Sequence, residues 1–203
     1  MTAIPLHKSA VDEPHDAELI SRSLRVPEQF AALFDRYASQ LHHYAARRLG
    51  ASAADDIVAE TFLAAFRRRD GYDLNRRCAR PWLYGIATTL IARQRRGEVR
   101  LYRALARTGL DPLGEPVDEQ VVSRVAAQAQ RRALAEALAQ LSQGERDVLL
   151  LVAWGEFSYE EAAQALTVPL GTVRSRLARA RAKVRAALGE PSVTDTSKET
   201  GNG

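Results

Sequence analysis

The chain has 203 residues, of which 46% are hydrophobic, so it is long enough for one large or two small domains with real cores. Its 29 Lys and Arg against 25 Asp and Glu give a formal net charge of only +4, but the charges are unevenly spread. A single cysteine excludes an internal disulfide, and no Cys/His group has zinc-ligand spacing. The longest apolar run, residues 148–154, is far shorter than the roughly 20 residues that cross a bilayer, and no signal-peptide core begins the chain. We therefore expect a cytoplasmic protein without metal, cofactor or membrane contact.

The beginning of the chain predicts a tail followed by a helix. Residues 1–25 are polar, mixed in charge and interrupted by Pro5 and Pro14, which is typical of a disordered segment. From Phe30 to Tyr44 apolar residues, Phe34 among them, recur at three- and four-residue steps. This spacing predicts an amphipathic helix whose apolar stripe faces a core.

Two more helices are predicted in the first half of the chain. Residues 55–69 carry acidic side chains in the first turns and three arginines in the last turn, which suits the helix dipole. Residues 70–81 are rich in turn formers and predict a loop. The helical pattern resumes over 82–96 and ends in basic residues. These elements predict a helical domain over 26–103.

The composition changes sharply after this domain. Residues 108–123 hold four acidic residues, no basic ones, two prolines and two glycines. This stretch is typical of an extended linker, for which we expect the bounds 104–127. A second domain follows over 128–189, and residues 190–203 are expected to form a disordered tail.

The second domain contains two marked helix starts. Ser142 to Glu145 and Ser158 to Glu161 match the S-x-x-E capping box, in which side chains satisfy unpaired backbone N–H groups. Neither domain shows strand-like alternation, and no internal repeat appears. The predicted fold class is therefore all-α, with two small helical domains joined by a flexible acidic linker.

The last part of the second domain has the spacing of a helix-turn-helix. Over 159–180 a short helix is followed by a tight connection and by Pro169 in the first turn of the next helix. On that helix Val173, Leu177 and Ala180 share one face, and the other faces are basic. A solvated basic helix would be the better explanation for this segment alone. The capped helix and tight turn before it favour insertion into the DNA major groove, with phosphates on either side.

A helix-turn-helix alone would also suit a repressor or a response regulator. The N-terminal domain therefore has to distinguish between these classes of DNA-binding protein. The chain contains in order DDIVAETFLAAFRR, RPWLYGIATTLIARQRR, the acidic linker and LSQGERDVLLLVAWGEFSYEEAAQALTVPLGTVRSRLARA. This combination, over about residues 28–188, resembles the extracytoplasmic-function (ECF) group of bacterial sigma factors. The resemblance implies a promoter-specificity subunit that binds core RNA polymerase, recognises the −10 and −35 promoter elements and directs transcription initiation.

The resemblance also implies which residues carry these functions. Contacts to the −35 element are expected from Thr172, Arg174, Ser175, Arg176, Arg179 and Lys183. Contacts to the −10 element are expected from Asn75, Arg76, Arg77, Arg80, Trp82, Arg93, Arg95 and Arg96. Core polymerase is expected to bind Asp55, Asp56, Glu60 and Leu63. Core RNA polymerase and promoter DNA are thus the implied partners, an anti-sigma factor is plausible, and no small-molecule substrate is implied.

Some of these residues have simpler explanations. Asp55, Asp56 and Glu60 could only favour the N-terminus of their own helix, and composition does not separate the two roles. Trp82 begins a helix, where an aromatic side chain more often packs in a core than contacts a base. Cys78 has no second cysteine to resolve an oxidised form, which favours an inert thiol.

The sequence also departs from the family pattern. Thr88 and Thr89 stand where members commonly carry Arg-Asn or Thr-Asn, and Arg93 stands where Asp is frequent. The usual amide contact is therefore in doubt. Thr167 occupies a turn position usually held by Gly, and a positive φ would strain it.

The main rival is a stand-alone helix-turn-helix transcription regulator. It would need a sensing domain with a ligand pocket or a receiver-like α/β pattern, and the sequence has neither. An enzyme is disfavoured because no phosphate-binding glycine loop and no supported nucleophile–base set is present.

Overall fold

The computed structural model describes residues 14–108 and 121–189. These residues form nine α-helices and no strand, which confirms the all-α prediction. The helices are α1 (Asp16–Ser23), α2 (Ala31–Leu49), α3 (Ala51–Arg67), α4 (Arg80–Arg93), α5 (Arg95–Thr108), α6 (Val121–Gln140), α7 (Gln143–Ala153), α8 (Tyr159–Leu166) and α9 (Leu170–Leu188). Within the same ranges, no helix combines the length and the apolar character needed to cross a membrane.

Helices α2, α3 and α4 form the core of the N-terminal domain. Their inward faces contribute Leu33, Leu41, Ile57, Leu83 and Ile91, all at most 1% exposed. The chain turns between α2 and α3 at Gly50, whose φ of 92° is readily adopted by glycine. The three helices predicted from apolar spacing are thus present, with bounds shifted by a few residues.

Helix α1 lies inside the segment expected to be a disordered tail. Its first residue, Asp16, accepts hydrogen bonds from Arg36 Nη1 at 2.8 Å, Tyr37 Oη at 2.6 Å and the Ala79 backbone N–H at 2.7 Å. These partners come from α2 and from the loop before α4. They satisfy the Asp16 carboxylate, which is buried although a polar, charged segment would be expected to be exposed. The expectation of disorder is therefore wrong for Asp16–Ser23, and residues 1–13 lie outside the described part.

The C-terminal domain forms the predicted helix-turn-helix from α8 and α9. Both capping boxes are present. The Ser142 and Ser158 side chains each accept from the backbone N–H three residues on, and the side chains of Glu145 and Glu161 accept from the backbone N–H of these serines. Thr167 closes α8 in the left-handed region at φ 52° and ψ 48°, so this residue adopts the strained positive φ in place of glycine. Pro169 is the N-cap of α9 and thus lies one position before the first turn, in which the sequence had placed it.

Helices α5 and α6 extend into the range expected for the linker. Helix α5 continues to Thr108 and α6 begins at Val121. The two helices pack along each other, and α5 also contacts α2. Residues 109–120, which hold the four acidic side chains, lie outside the described residues, so the flexible acidic linker stays a prediction.

A buried ion network joins the two domains. We use this name for Arg48 of α2, Glu98 of α5, and Arg146 and Asp147 of α7. Arg48 donates to Glu98 Oε1 and to Asp147 Oδ1, both at 2.6 Å, and Arg146 Nη1 donates to Glu98 Oε2 at 3.2 Å. The side chains of Arg48, Glu98 and Arg146 are at most 1% exposed. Two positive and two negative charges are therefore buried together and balance one another.

A second contact between the domains brings α4 against α8. A Cβ built on Gly85 would lie 2.3 Å from the backbone oxygen of Ala165, so only glycine permits this approach. Beside it the rings of Tyr84 and Phe157 lie 4.9 Å apart, centroid to centroid. The Arg80 Cζ atom lies 4.5 Å from the centroid of the Phe157 ring, and its guanidinium donates to the backbone oxygen of Gly155.

Replacing Gly85 by Ala tests whether this close approach holds the domains together. The new methyl group meets a backbone atom that cannot move alone, so we expect a loss of about 1 to 3 kcal/mol in the free energy of unfolding. Small-angle scattering should show a larger radius of gyration with unchanged helix content by circular dichroism.

Gly97→Ala is the matched control because a Cβ there meets nothing within 4 Å. It should gain about 0.5 to 1 kcal/mol from helix propensity. Equal behaviour of the two variants would show that the contact between α4 and α8 is not tight in solution.

Candidate nucleic-acid interface

Helix α9 presents a basic surface outward because its apolar face is fixed inside the domain. Val173, Leu177 and Ala180 are at most 2% exposed. Among the residues predicted to contact the −35 element, Arg174, Ser175, Arg179 and Lys183 are exposed, whereas Thr172 and Arg176 are half-buried. All six residues thus lie on one helix, with four of them exposed and two partly covered.

Arg176 lies against the start of α7. A Cβ built on Gly144 would be 2.9 Å from the Arg176 Cζ atom, so the guanidinium lies directly over this glycine. A larger residue at position 144 would displace it. The packing restricts the Arg176 side chain, which reduces the entropy that a contact to DNA would cost.

Two other basic residues of α9 share one carboxylate. Lys183 Nζ donates to Glu145 Oε2 at 2.7 Å, and Arg179 Nε lies 3.4 Å from Glu145 Oε1. The hydrogen bond from Lys183, helped by the one from the Ser142 backbone, lowers the pKa of Glu145 to about 2. Glu145 therefore caps α7 and also ties α7 to α9.

The loop before α4 holds three of the residues predicted to contact the −10 element. Asn75, Arg76 and Arg77 are exposed. Asp73 organises this loop by accepting from the Asn75 backbone N–H at 3.1 Å, from Asn75 Nδ2 at 3.0 Å and from Arg76 Nε at 3.3 Å. The hydrogen bond from the Asn75 backbone is the main reason why the pKa of Asp73 is lowered.

Two further residues of the predicted −10 set have partners within the protein. The Trp82 ring is half-buried and lies 4.9 Å from the Tyr72 ring. Tyr72 in turn donates to the backbone oxygens of Arg76 and Cys78 at 2.7 and 3.0 Å. Arg80 is directed at the C-terminal domain, as described above, so its guanidinium is not free in this arrangement.

The rest of the predicted −10 set lies at the junction of α4 and α5. Arg93 and Arg96 are exposed and line a groove that continues along α5. The orientation of the Arg95 side chain lies outside the described part. The groove is also lined by Arg100, Arg103 and Arg107, which our sequence interpretation did not select. Their spacing of three and four residues in a helix with one acidic residue could have identified them.

The residues predicted to bind core polymerase lie on the outer side of α3. Asp55, Asp56, Glu60 and Leu63 are all exposed. Phe34 of α2 lines a groove together with Asp55 and is 46% exposed, although apolar spacing placed it in a core stripe. Its ring contacts that of Phe62 at 4.9 Å. The expectation that Phe34 is buried is therefore wrong, because the stripe of α2 is wider than the core it covers.

The family departures have structural consequences. Thr88 is buried, with its hydroxyl 3.4 Å from Tyr44 Oη. Thr89 is exposed and donates to the Gly85 backbone oxygen at 2.9 Å. Cys78 is an exposed free thiol. In residues 14–108 and 121–189, no group of three or more His, Cys, Asp or Glu is arranged to hold a metal ion.

Comparison with known proteins identifies both domains. The sigma-70 region 2 model matches residues 33–101, and the sigma-70 region 4 model matches residues 131–184. The chain is 35% identical to the ECF RNA polymerase sigma factor SigL of Mycobacterium tuberculosis, over 80% of this chain and 90% of that protein. It is 30% identical to the ECF RNA polymerase sigma factor SigW of Bacillus subtilis, over 79% and 89%.

A solved structure agrees with these matches. The structure of CnrH in complex with the cytosolic domain of CnrY superposes with a TM-score of 0.60 at 27% identity, over 86% of this chain and 97% of that one. The chain therefore belongs to the sigma-70 family of RNA polymerase sigma factors. Within that family its relatives place it in the ECF group.

This membership confirms the main functional prediction. The protein is a sigma factor of transcription initiation, with core RNA polymerase and promoter DNA as its partners. Both sigma regions are matched, which favours this function over a stand-alone helix-turn-helix regulator. The sigma factors as a family are not enzymes.

The ion pairs of Glu145 predict a pH dependence of stability. Because its pKa of about 2 lies below the ordinary 4.5, Glu145 contributes stability that is complete above about pH 5 and is lost as the pH falls toward 2. Glu145→Gln retains the capping box but loses the pairs with Arg179 and Lys183. We expect urea unfolding to show a loss of about 1 to 2 kcal/mol at pH 7 that shrinks toward zero near pH 2.

Glu160→Gln removes the same charge from an exposed position of α8 and serves as the control. It should change the unfolding free energy by less than about 0.5 kcal/mol. If the loss in Glu145→Gln were independent of pH, the pairs with α9 would not be its cause.

Proposed function

We propose that this sigma factor binds promoter DNA and core polymerase through three separate surfaces. The outer side of α9 contacts the −35 element, the loop before α4 and the end of α4 contact the −10 element, and the outer side of α3 binds core polymerase. The observation that carries this assignment is the geometry of α9. Val173 and Leu177 bury one face of this helix, and its exposed faces are basic. A helix of this kind, preceded by a capped helix and a tight turn, fits the DNA major groove.

The two ends of α9 are proposed to have different roles. Thr172, Arg174, Ser175, Arg176 and Arg179 lie in its N-terminal part, the part that contacts base edges in a helix-turn-helix. Lys183 lies further along, where phosphates are the expected partners. Support comes from Arg176, whose guanidinium is held over Gly144.

For the −10 element we propose contacts from Asn75, Arg76 and Arg77 in the exposed loop, and from Arg93, Arg95 and Arg96 at the end of α4 and the start of α5. Exposed amide and guanidinium groups suit single-stranded DNA, which is held by charge and stacking. Arg80 would first have to leave its contacts with Gly155 and Phe157. For Trp82, packing on Tyr72 is the simpler role.

Core polymerase is proposed to bind the carboxylates of Asp55, Asp56 and Glu60 together with the apolar Leu63 and Phe34. Leu63 is 49% exposed and Phe34 is 46% exposed, and Phe34 lines a groove together with Asp55. Exposed apolar side chains among charged ones are typical of protein interfaces. Basic residues on the polymerase would be the complementary charges.

The remaining assignments follow from the family. We propose that the protein acts only by binding, without catalysis, and that it resides in the cytoplasm with RNA polymerase. An anti-sigma factor is proposed as a further partner. The solved complex of CnrH with the cytosolic domain of CnrY supports this proposal.

Run-off transcription tests the proposed function directly. Purified core polymerase should gain new start sites on genomic DNA when this protein is added, and the regions upstream of these sites should share two sequence elements. Core polymerase alone should not start there. Tight sequence-specific binding by the free protein, with no new start sites, would instead support a stand-alone regulator.

Substitutions in α9 test the two proposed roles. Arg176→Ala should relax base preference at one or two positions of the −35 element, because a bidentate contact to a base contributes about 1 to 3 kcal/mol of discrimination. Lys183→Ala should weaken the affinity for all promoter sequences equally and reduce the slope of log affinity against log salt by about one. The measurement is holoenzyme affinity for a promoter library randomised at the −35 element, at two salt concentrations.

Leu177→Asp is the control for docking of α9, since it puts a charge into the buried face and should abolish both effects. An unchanged base preference in Arg176→Ala would show that the guanidinium only steers the DNA. In that case the contacts to bases must come from Thr172, Arg174, Ser175 or Arg179.

A further inference from the structure

Helix α5 carries a row of arginines on one side. We call Arg96, Arg100, Arg103 and Arg107 the α5 arginine row. Their spacing of four, three and four residues places them within about 60° of arc at 3.6 residues per turn. All four side chains are exposed. A row of one charge on one side of a helix is not explained by folding alone.

The opposite side of α5 is anchored in the protein. Glu98 is 1% exposed in the buried ion network, and Tyr102 is 1% exposed against the same network. Glu98 is also the only acidic residue of the helix. The one carboxylate of α5 that could neutralise the arginines therefore faces inward, and the α5 arginine row faces outward.

The row has no partner within the described part of the chain. None of its four guanidinium groups forms a hydrogen bond or ion pair with a residue in 14–108 or 121–189. The groove along the row has a volume of about 1040 Å³, and no carboxylate lines it. A Cβ at Gly97, within the groove, would meet nothing within 4 Å. The surface is thus open, basic and uncompensated.

The position of the row indicates its occupant. Its first member, Arg96, belongs to the residues proposed to contact the −10 element, and Arg93 lines the same groove. From there α5 leads to α6, the first helix of the domain proposed to contact the −35 element. The row therefore lies between the two promoter-contacting surfaces and extends the first of them.

We propose that the α5 arginine row binds the phosphate backbone of the double-stranded promoter spacer next to the −10 element. The inference rests on the proposed function. The eleven steps from Arg96 to Arg107, at 1.5 Å each, give the row a length of about 16 Å, over which a duplex presents about ten phosphate charges. Long guanidinium side chains without neighbouring polar groups to orient them suit phosphates, which carry no sequence information.

The test uses Arg100→Gln/Arg103→Gln, because these two residues lie outside the set proposed for the −10 element. Holoenzyme is reconstituted with core polymerase, and its affinity for a promoter mapped by run-off transcription is measured between 50 and 200 mM salt. Loss of two phosphate contacts should make the slope of log K against log salt shallower by about 1.8. Over this fourfold range the wild-type affinity should therefore fall roughly tenfold more than that of the variant.

Arg25→Gln/Arg68→Gln is the matched control, since both arginines are exposed, belong to none of the proposed residue sets, and follow α1 and α3, which pack on α2. It should keep the wild-type slope. A second arm replaces spacer phosphates next to the −10 element by neutral methylphosphonates. The wild-type holoenzyme should lose affinity on this DNA, and the Arg100→Gln/Arg103→Gln holoenzyme should lose much less.

Two results would overturn the proposal. Equal losses of both holoenzymes on methylphosphonate DNA would show that the row does not contact the spacer. A weaker affinity of the variant for core polymerase, with an unchanged salt slope on DNA, would assign the row to a protein contact. Failure of the proposed function is distinct from both, since the wild-type protein would then start no transcription with core polymerase.

Discussion

The structure depends on the pairing of Arg48 with Asp147 and Glu98. Isolated charges without exposure to water are strongly unfavourable, so each member of the buried ion network requires its partners. Arg48 uses all three of its nitrogens, since Nη1 also donates to Tyr44 Oη at 2.8 Å. Arg146 has further acceptors in the backbone oxygens of Leu138 and Leu141, at 2.8 and 2.9 Å. Geometry and charge are thus satisfied together.

This network determines how the functional surfaces are presented. Glu98 fixes the rotation of α5 about its axis, and the arginine row faces outward as a result. Asp147 fixes α7 against α2, which brings α8 to α4 and directs Arg80 at Gly155 and Phe157. One of the residues proposed for the −10 element is therefore occupied by the domain that is proposed to contact the −35 element.

Local patterns in the sequence predicted the parts of the fold that local physics decides. Both capping boxes and the two faces of α9 follow from residues within a few positions of one another. Helix α1 was missed because the partners of Asp16 are Arg36, Tyr37 and Ala79, which lie far away in sequence.

The contacts between domains could not be predicted for the same reason. Arg48 and Arg146 have the sequence context of ordinary surface arginines, and their acceptors are 50 and 48 residues away at Glu98 and 99 residues away at Asp147. Phe34 shows the converse case. Its spacing is that of a core residue, but spacing does not tell which part of an apolar stripe is covered by the core and which part stays exposed at the surface.

A double-mutant cycle on Arg48 and Asp147 tests most directly whether their ion pair holds the domains together. Arg48→Met and Asp147→Leu are each expected to lose about 3 to 5 kcal/mol in the free energy of unfolding, because each leaves one uncompensated charge in the buried ion network. The double variant should lose clearly less than the sum of the two, since an apolar pair replaces the ionic one. Losses that add, or single losses below about 1 kcal/mol, would contradict a buried pair that joins the two domains.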